Sequence, residues 1–245
     1  PVSTRVPQIL LERLTTISKI LQEAYNQFQT STNSKIVLSP AAEWMLDNFY
    51  LLQQTTNQMR HDLPVQYYNQ LPKVADEHFY GLPRVFILVA QVFSYCNNYF
   101  DLDCLKKSLK QFQQQTPLTM GELWCLPTML RYILLERLAS SVAIITGIDI
   151  PDWLKIIRHN EEEANALVSN GIPALRQMDT TDWKAVFEEL SVVEQILQGD
   201  PAGDYSQMDF ATRDRYRREI EKLSFRSQKS EVLVASDAIE LARQV

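Results

Sequence analysis

Apolar side chains recur at three- and four-residue steps along most of this chain. Leu10, Leu14, Ile17, Leu21, Ala24 and Phe28 trace one face of a helix over about residues 6–29. After a polar stretch at 30–35, Ser39-Pro40 reads as an N-cap followed by proline at the first helical position. The helix it opens carries Trp44, Phe49 and Leu52 inward. Pro64, Pro72, Gly81 and Pro83 punctuate a linker from Leu63 to Arg84 that has room for one short helix. The run PRVFILVAQVFSYC is compatible with a buried strand by periodicity alone, but its length and neighbours favour a helix from Pro83. Asp101 caps a further helix through about Gln115.

The stretch from Thr119 to Thr146 organises the rest. Thr119 and Glu122 have the spacing of a reciprocal cap, in which hydroxyl and carboxylate each accept a free backbone N–H. On a helical projection Glu122, Glu136 and Arg137 share one wedge of about 100°, and apolar residues fill nearly everything else. Such a helix is buried, with a kink expected at Pro127. Arg131 projects opposite the polar wedge, so a buried, paired guanidinium is expected there, with a cost on the order of 3–5 kcal/mol for removing it. Beyond it, Asp149–Trp153 starts a helix ending near Gly171, and Thr181–Trp183 starts another that runs to Gln198 and stops at Gly199. Two last helices cover about Phe210–Phe225 and Glu231–Gln244. No convincing alternating strand appears. The pattern predicts an all-α array of helices around one long central helix, as a single domain over 1–245 with any subdivision near 147–150.

Composition agrees with this picture. Six glycines in 245 residues leave little room for the turns of a many-stranded protein. Three cysteines, Cys96, Cys104 and Cys125, have no CxxC spacing and cannot all pair, so reduced, buried thiols in a cytosolic setting are expected. The net charge of -6 argues against general nucleic-acid binding. That charge is uneven: residues 149–204 hold 12 acidic against 4 basic side chains, whereas residues 213–229 hold 7 basic against 3 acidic. No signal peptide is visible, and the chain starts in mid-pattern, as a piece of something longer would.

The candidate chemistry is sparse. Asp101-Leu102-Asp103 has the spacing of a divalent-metal motif, but it opens a helix, and capping is a sufficient account. His61, His78 and His159 lack metal-site spacing, and no phosphate loop, GxSxG or HExxH occurs. Glu161-Glu162-Glu163 reads as a solvated helix face. Arg213, Arg215, Arg217 and Arg218 form the sharpest feature. They are a candidate patch for an acidic protein surface or an anionic membrane junction. The competing reading is internal pairing with Asp214, Glu219, Glu221 or the acidic region before them. Arg84, Glu122 and Arg131 are candidate buried polar residues, with a pocket for a glucan or nucleotide sugar as the alternative to plain ion pairing.

Several long motifs appear together: LSPAAEWMLDNFYLL, DLPVQYYNQLPKV, GLPRVFILVAQV, LTMGELWCLPTMLRYILLERL and DPAGDYSQMDFATRDRYRREIEKL. In this order they resemble the region N-terminal to the membrane spans in cyclic β-1,2-glucan synthases, from about Ile36 to the C-terminus. The resemblance implies a parent that polymerises glucose from UDP-glucose at the bacterial inner membrane, with other domains controlling chain length by phosphorolysis and closing the ring. It also implies that this region lies on the cytoplasmic side and meets the parent's remaining domains. The chain has none of the family's membrane spans, transferase aspartates, Q-x-x-R-W-type motif or phosphorylase module. No catalytic residue, metal ligand or cofactor is therefore carried over. The expectation is a non-catalytic helical scaffold module; a stand-alone interaction module and a glucan- or nucleotide-sugar-binding domain are the alternatives.

Overall fold

The computed structural model describes residues 9–33, 39–75, 79–96, 99–155 and 160–244. Among them the chain is all-α: α1 (Ile9–Asn33), α2 (Pro40–Asp62), α3 (Val65–Gln70), α4 (Arg84–Tyr95), α5 (Leu102–Gln113), α6 (Met120–Thr146), α7 (Glu161–Thr180), α8 (Trp183–Leu190), α9 (Val192–Leu197), α10 (Asp204–Gln207), α11 (Phe210–Ser227) and α12 (Glu231–Ala242). Described residues include no strand, only an isolated bridge between Lys73 and Pro83 within the linker. The run after Pro83 is a helix, as its length favours.

Local chemistry accounts for most of the boundaries. Ser39 Oγ accepts the Ala42 N–H, and Pro40 occupies the first turn. Thr119 and Glu122 form the expected reciprocal cap: the Thr119 N–H donates to Glu122 Oε2 at 3.0 Å, and the Glu122 N–H donates to Thr119 Oγ1 at 3.2 Å. The α6 helix then runs 27 residues, with Pro127 inside it. The α1 helix continues past Gln29 to Asn33, because Thr30 returns its hydroxyl to the Asn26 carbonyl and neither glycine nor proline intervenes.

Three expectations are corrected. Asp149–Trp153 does not start a long helix; after Pro151 only one 3-10 turn forms, Asp152–Leu154. The long helix starts instead at Asn160, whose side chain accepts the Glu163 N–H while Glu163 accepts the Asn160 N–H. It does not stop at Gly171 but continues through Pro173 to Thr180. The helix from Trp183 is not continuous to Gln198. It breaks at Ser191, whose hydroxyl accepts the Glu194 N–H and restarts the chain as α9. In the polar wedge of α6, Arg137 is 8% exposed, Glu122 is fully buried and Glu136 is half-buried.

Contacts group the chain into two compact units. One comprises the described residues up to Asp101 together with Leu126–Thr181. Here α2 packs on α1 and α7, the Tyr132 hydroxyl donates to the Leu10 carbonyl at 3.1 Å, and the Phe86 and Tyr132 rings meet edge to face. Leu126–Thr146 of α6 forms its core, with Met129, Leu130, Tyr132, Ile133, Leu135 and Leu138 at 1% exposure or less. Each such aliphatic side chain contributes about 1.5–3 kcal/mol by leaving water.

The other unit comprises Leu102–Cys125 and Asp182–Val245. There α5 packs on α8, and α12 packs on α9 and α11. The first turn of α6 joins this unit: the Met120 N–H donates to Glu231 Oε2 at 2.8 Å, and Trp124 stacks on Phe187 with ring centroids 4.4 Å apart. Cys125 is a buried free thiol. Cys96 and Cys104 are each disulfide-bonded, which corrects the expectation of three reduced cysteines.

Candidate functional site

Among the described residues, a dense charge cluster is built around Arg217. Asp209 caps α11 by accepting the Thr212 N–H at 2.7 Å. One and two turns into the helix, Arg213 and Arg217 point the same way. Arg217 Nη1 donates to Glu194 Oε2 at 2.7 Å and to Glu188 Oε1 at 3.0 Å. Arg213 Nη2 donates to the other Glu188 oxygen at 2.9 Å. The Tyr205 hydroxyl and the Gln198 amide each donate to Glu194 at 2.7 Å. The guanidinium of Arg217 also lies between two rings, 5.1 Å from the Phe187 centroid and 4.7 Å from that of Phe210. Trp124 stacks on the first ring and meets the second edge to face.

Burial decides what this cluster can do. Arg217 is 1% exposed and Glu194 3%. Burial pushes the Glu194 carboxyl upward, but donation from Tyr205, Gln198 and Arg217 outweighs it and holds the group below the ordinary carboxylate value. Burial likewise lowers Arg217, and its bonds to Glu188 and Glu194 more than reverse that. Tyr205 is held upward by burial and by its donation to Glu194. Glu194, Tyr205 and Arg217 are therefore held in their resting protonation states. A closed, charge-balanced cluster of this kind fixes helix register.

The four arginines singled out from the sequence do not make one exposed patch. Arg213 and Arg217 are inside the cluster, whereas Arg215 and Arg218 are exposed, with Arg218 bonded to Asp214 at 2.9 Å. The internal-pairing reading gave the right answer for Arg213, Arg217 and Arg218, the last with the expected Asp214, and Glu188, Glu194 and Tyr205 are the cluster members that sequence reasoning did not name. The acidic block before α11 was the available signal. It could not single out Glu194, because in an unbroken helix Glu188 and Glu194 would sit about 240° apart. The break at Ser191 brings both to the same guanidinium.

The remaining candidates take no part in the cluster. Glu122 is consumed by the α6 cap. Arg131 keeps 13% of its side chain exposed and donates to Asp179 at 2.9 Å, itself 46% exposed. It is therefore paired at the surface rather than fully buried. Arg84 opens α4, half-buried, with its N–H donating to the Pro72 carbonyl at 2.7 Å. His61 is exposed on α2, while His78 and His159 lie outside the described residues. Glu161, Glu162 and Glu163 are exposed. Among the described residues no group of three or more His, Cys, Asp or Glu side chains is placed to hold a metal, and no helix is long and apolar enough to cross a membrane.

No protein-family profile matches the chain. It is similar to the cyclic beta-(1,2)-glucan synthase NdvB of Rhizobium meliloti (strain 1021), with 25% identity over 296 aligned residues. The similarity supports membership of the cyclic β-1,2-glucan synthase family. It takes in 92% of this chain but spans only 10% of that synthase's length. The motifs that carry the resemblance fall on structural positions in both units. DPAGDYSQMDFATRDRYRREIEKL contains α10, most of α11 and both buried arginines, and LTMGELWCLPTMLRYILLERL contains the α6 cap and the core of the first unit.

Proposed function

We propose that this chain is a non-catalytic helical module of a cyclic β-1,2-glucan synthase, scaffolding the UDP-glucose-dependent machinery that polymerises the glucan. The observation that carries the reading is the closed Arg217 cluster: the chain's strongest concentration of ionic groups is spent on its own helices, with Arg217 only 1% exposed. A transfer site needs groups that reach substrate, and these do not. The partners on this reading are the remaining domains of the synthase, with no nucleic acid. Arg215 and Arg218 are left for contact with an acidic protein surface or anionic membrane.

The test has two arms. Purified chain incubated with UDP-glucose should release no UDP, and a synthase lacking the segment should make little glucan. Substrate-dependent UDP release by the isolated chain would overturn the reading, and so would undiminished synthesis by the truncated enzyme.

The same proposal places the segment on the cytoplasmic side of the inner membrane. The disulfide-bonded state of Cys96 and Cys104 pulls against that, since such bonds persist mainly in oxidising compartments. Thiol titration of protein trapped by alkylation in cells decides it. Three titratable thiols per chain support the cytoplasmic side, and one, from Cys125, overturns it.

A second reading has one observation in its favour. Leu223, Phe225, Leu233 and Leu241 on α11 and α12 are between 46% and 76% exposed, which suits an interaction module independent of any transferase.

A further inference from the structure

In the first unit, α4, α6, α7 and the segment after α4 enclose a half-open cleft of about 160 Å³. Its lining includes the buried Phe93 and Leu134, Tyr99 with 52% of its surface exposed, and Asn170, Ala174 and Gln177 of α7. Three properties define what could fit. None of the described lining residues is charged, so a neutral ligand suits them better than an ion. Its volume is below the ~300–1,000 Å³ of pockets that enclose drug-sized molecules, which is too small for a whole nucleotide sugar. And the side-chain amides of Asn170 and Gln177 have no hydrogen-bond partner among the described residues, although amides so placed offer both donors and acceptors.

The two amides are related by two helical turns, with the small Ala174 between them. They therefore sit on one face about 10 Å apart, flanking a shallow trough. A half-exposed aromatic ring and two amides, lining one cleft together with buried apolar side chains, match a ligand with a flat apolar face and a rim of neutral hydroxyls. We propose that this cleft binds a pyranose ring of a neutral oligosaccharide, stacked on Tyr99 and hydrogen-bonded by Asn170 and Gln177. Taking that sugar to be a stretch of β-1,2-glucan rests on the function proposed above. The cleft would then hold the growing polymer away from the site of transfer, as a non-catalytic module can.

The test uses the whole chain and residues whose truncation leaves the fold alone, since Tyr99, Asn170 and Gln177 are all exposed. Saturation-transfer NMR and calorimetry with a linear β-1,2-gluco-oligosaccharide should show binding in the millimolar range or tighter. Tyr99→Ala should weaken it about tenfold and Gln177→Ala about threefold or more, with unchanged circular dichroism. Absence of binding at about 10 mM sugar, or binding indifferent to Tyr99→Ala, overturns the proposal. Equal, Tyr99-dependent binding of an α-mannobiose supports the cleft as a carbohydrate site while removing its link to glucan. The scaffold reading stands or falls separately, on the truncated synthase.

Discussion

Arg217 and Glu194, 23 residues apart in sequence, meet at 2.7 Å within one unit of the chain, with 1% and 3% of their side chains exposed. Each has taken a charge out of water, which is favourable only because the partner and the surrounding donors are there. Tyr205 and Gln198 complete the Glu194 side of the pair. Taking away Arg217 leaves a buried carboxylate served by two neutral donors and by the longer contact with Arg213 Nη1 at 3.5 Å.

Arg217→Met should therefore destabilise the protein by about 3–5 kcal/mol, as expected for an uncompensated buried charge. Adding Glu194→Gln to that variant should recover part of the loss, because Gln still accepts from Tyr205 but carries no charge. Chemical denaturation of the three variants checks this. If the double variant is no more stable than Arg217→Met, the charge is not what the arginine compensates.

Arg131 is a different case, and the structure lowers its expected cost. Its partner Asp179 is 46% exposed, so solvent screens the pair and replaces much of what is lost. Arg131→Met should cost about 1 kcal/mol, against the 3–5 kcal/mol that full burial would bring. The thermal midpoint should move by only a few degrees. A shift as large as that of Arg217→Met would mean the pair is far more sheltered than its exposure indicates.

These two arginines show what the sequence could and could not reveal. Helical periodicity placed α2, α4, α6, α11 and α12 because each carries a local signal, such as Ser39-Pro40 or the Thr119/Glu122 spacing. The same projection put Arg131 on the apolar side but could not show that its partner there is the half-exposed Asp179 of α7. It found Arg213 and Arg217 as a pair without their partners, since Glu188 and Glu194 converge only through the break at Ser191. That break depends on one hydroxyl accepting one N–H, a choice that Ser offers at many positions and takes at few. The start of α7 failed for a similar reason: Asp149–Trp153 and Asn160–Glu163 both look like helix starts, and only the second closes a reciprocal cap.

Gly171 lies inside α7, where it lowers helix propensity by about 1 kcal/mol relative to Ala. The reason for its presence is Leu138 of α6: a Cβ on residue 171 would come within 2.7 Å of a Leu138 methyl carbon and 3.2 Å of its Cγ. Leu138 is 1% exposed and has little room to move. Overpacking at about 1–3 kcal/mol should outweigh the propensity gain, so Gly171→Ala is expected to destabilise by about 1 kcal/mol. In a Leu138→Ala background the new methyl group fills space instead of clashing, and the same substitution should become neutral or stabilising. Additive losses in the double-mutant cycle would show that the two residues do not press on each other.

The last expectation concerns pH. Burial pushes Glu136 up to about 7, against the opposing pull of Arg13 and Arg137. It pushes Glu231 up to about 7 as well, reinforced by Glu221 and Glu122 and opposed by the Met120 N–H. An unfolded Glu titrates near 4.3, so between roughly pH 4.3 and 7 the native state holds protons that the unfolded state has released. The native state is then favoured at the acid end of that window, and the advantage disappears as pH rises through 7. Each group should cost on the order of 1–3 kcal/mol at pH 8 relative to pH 5. Gln has the shape of the protonated acid without the proton to lose. Glu136→Gln should thus leave stability near pH 5 almost unchanged and raise it at pH 8, and Glu231→Gln should do the same while still accepting the Met120 N–H. Urea midpoints for the parent and both variants across this range provide the measurement. A Glu136→Gln curve parallel to the parent's would mean that Glu136 is ionised throughout and held by Arg13. A variant weaker than the parent at pH 8 would mean that its ion pairs outweigh its burial.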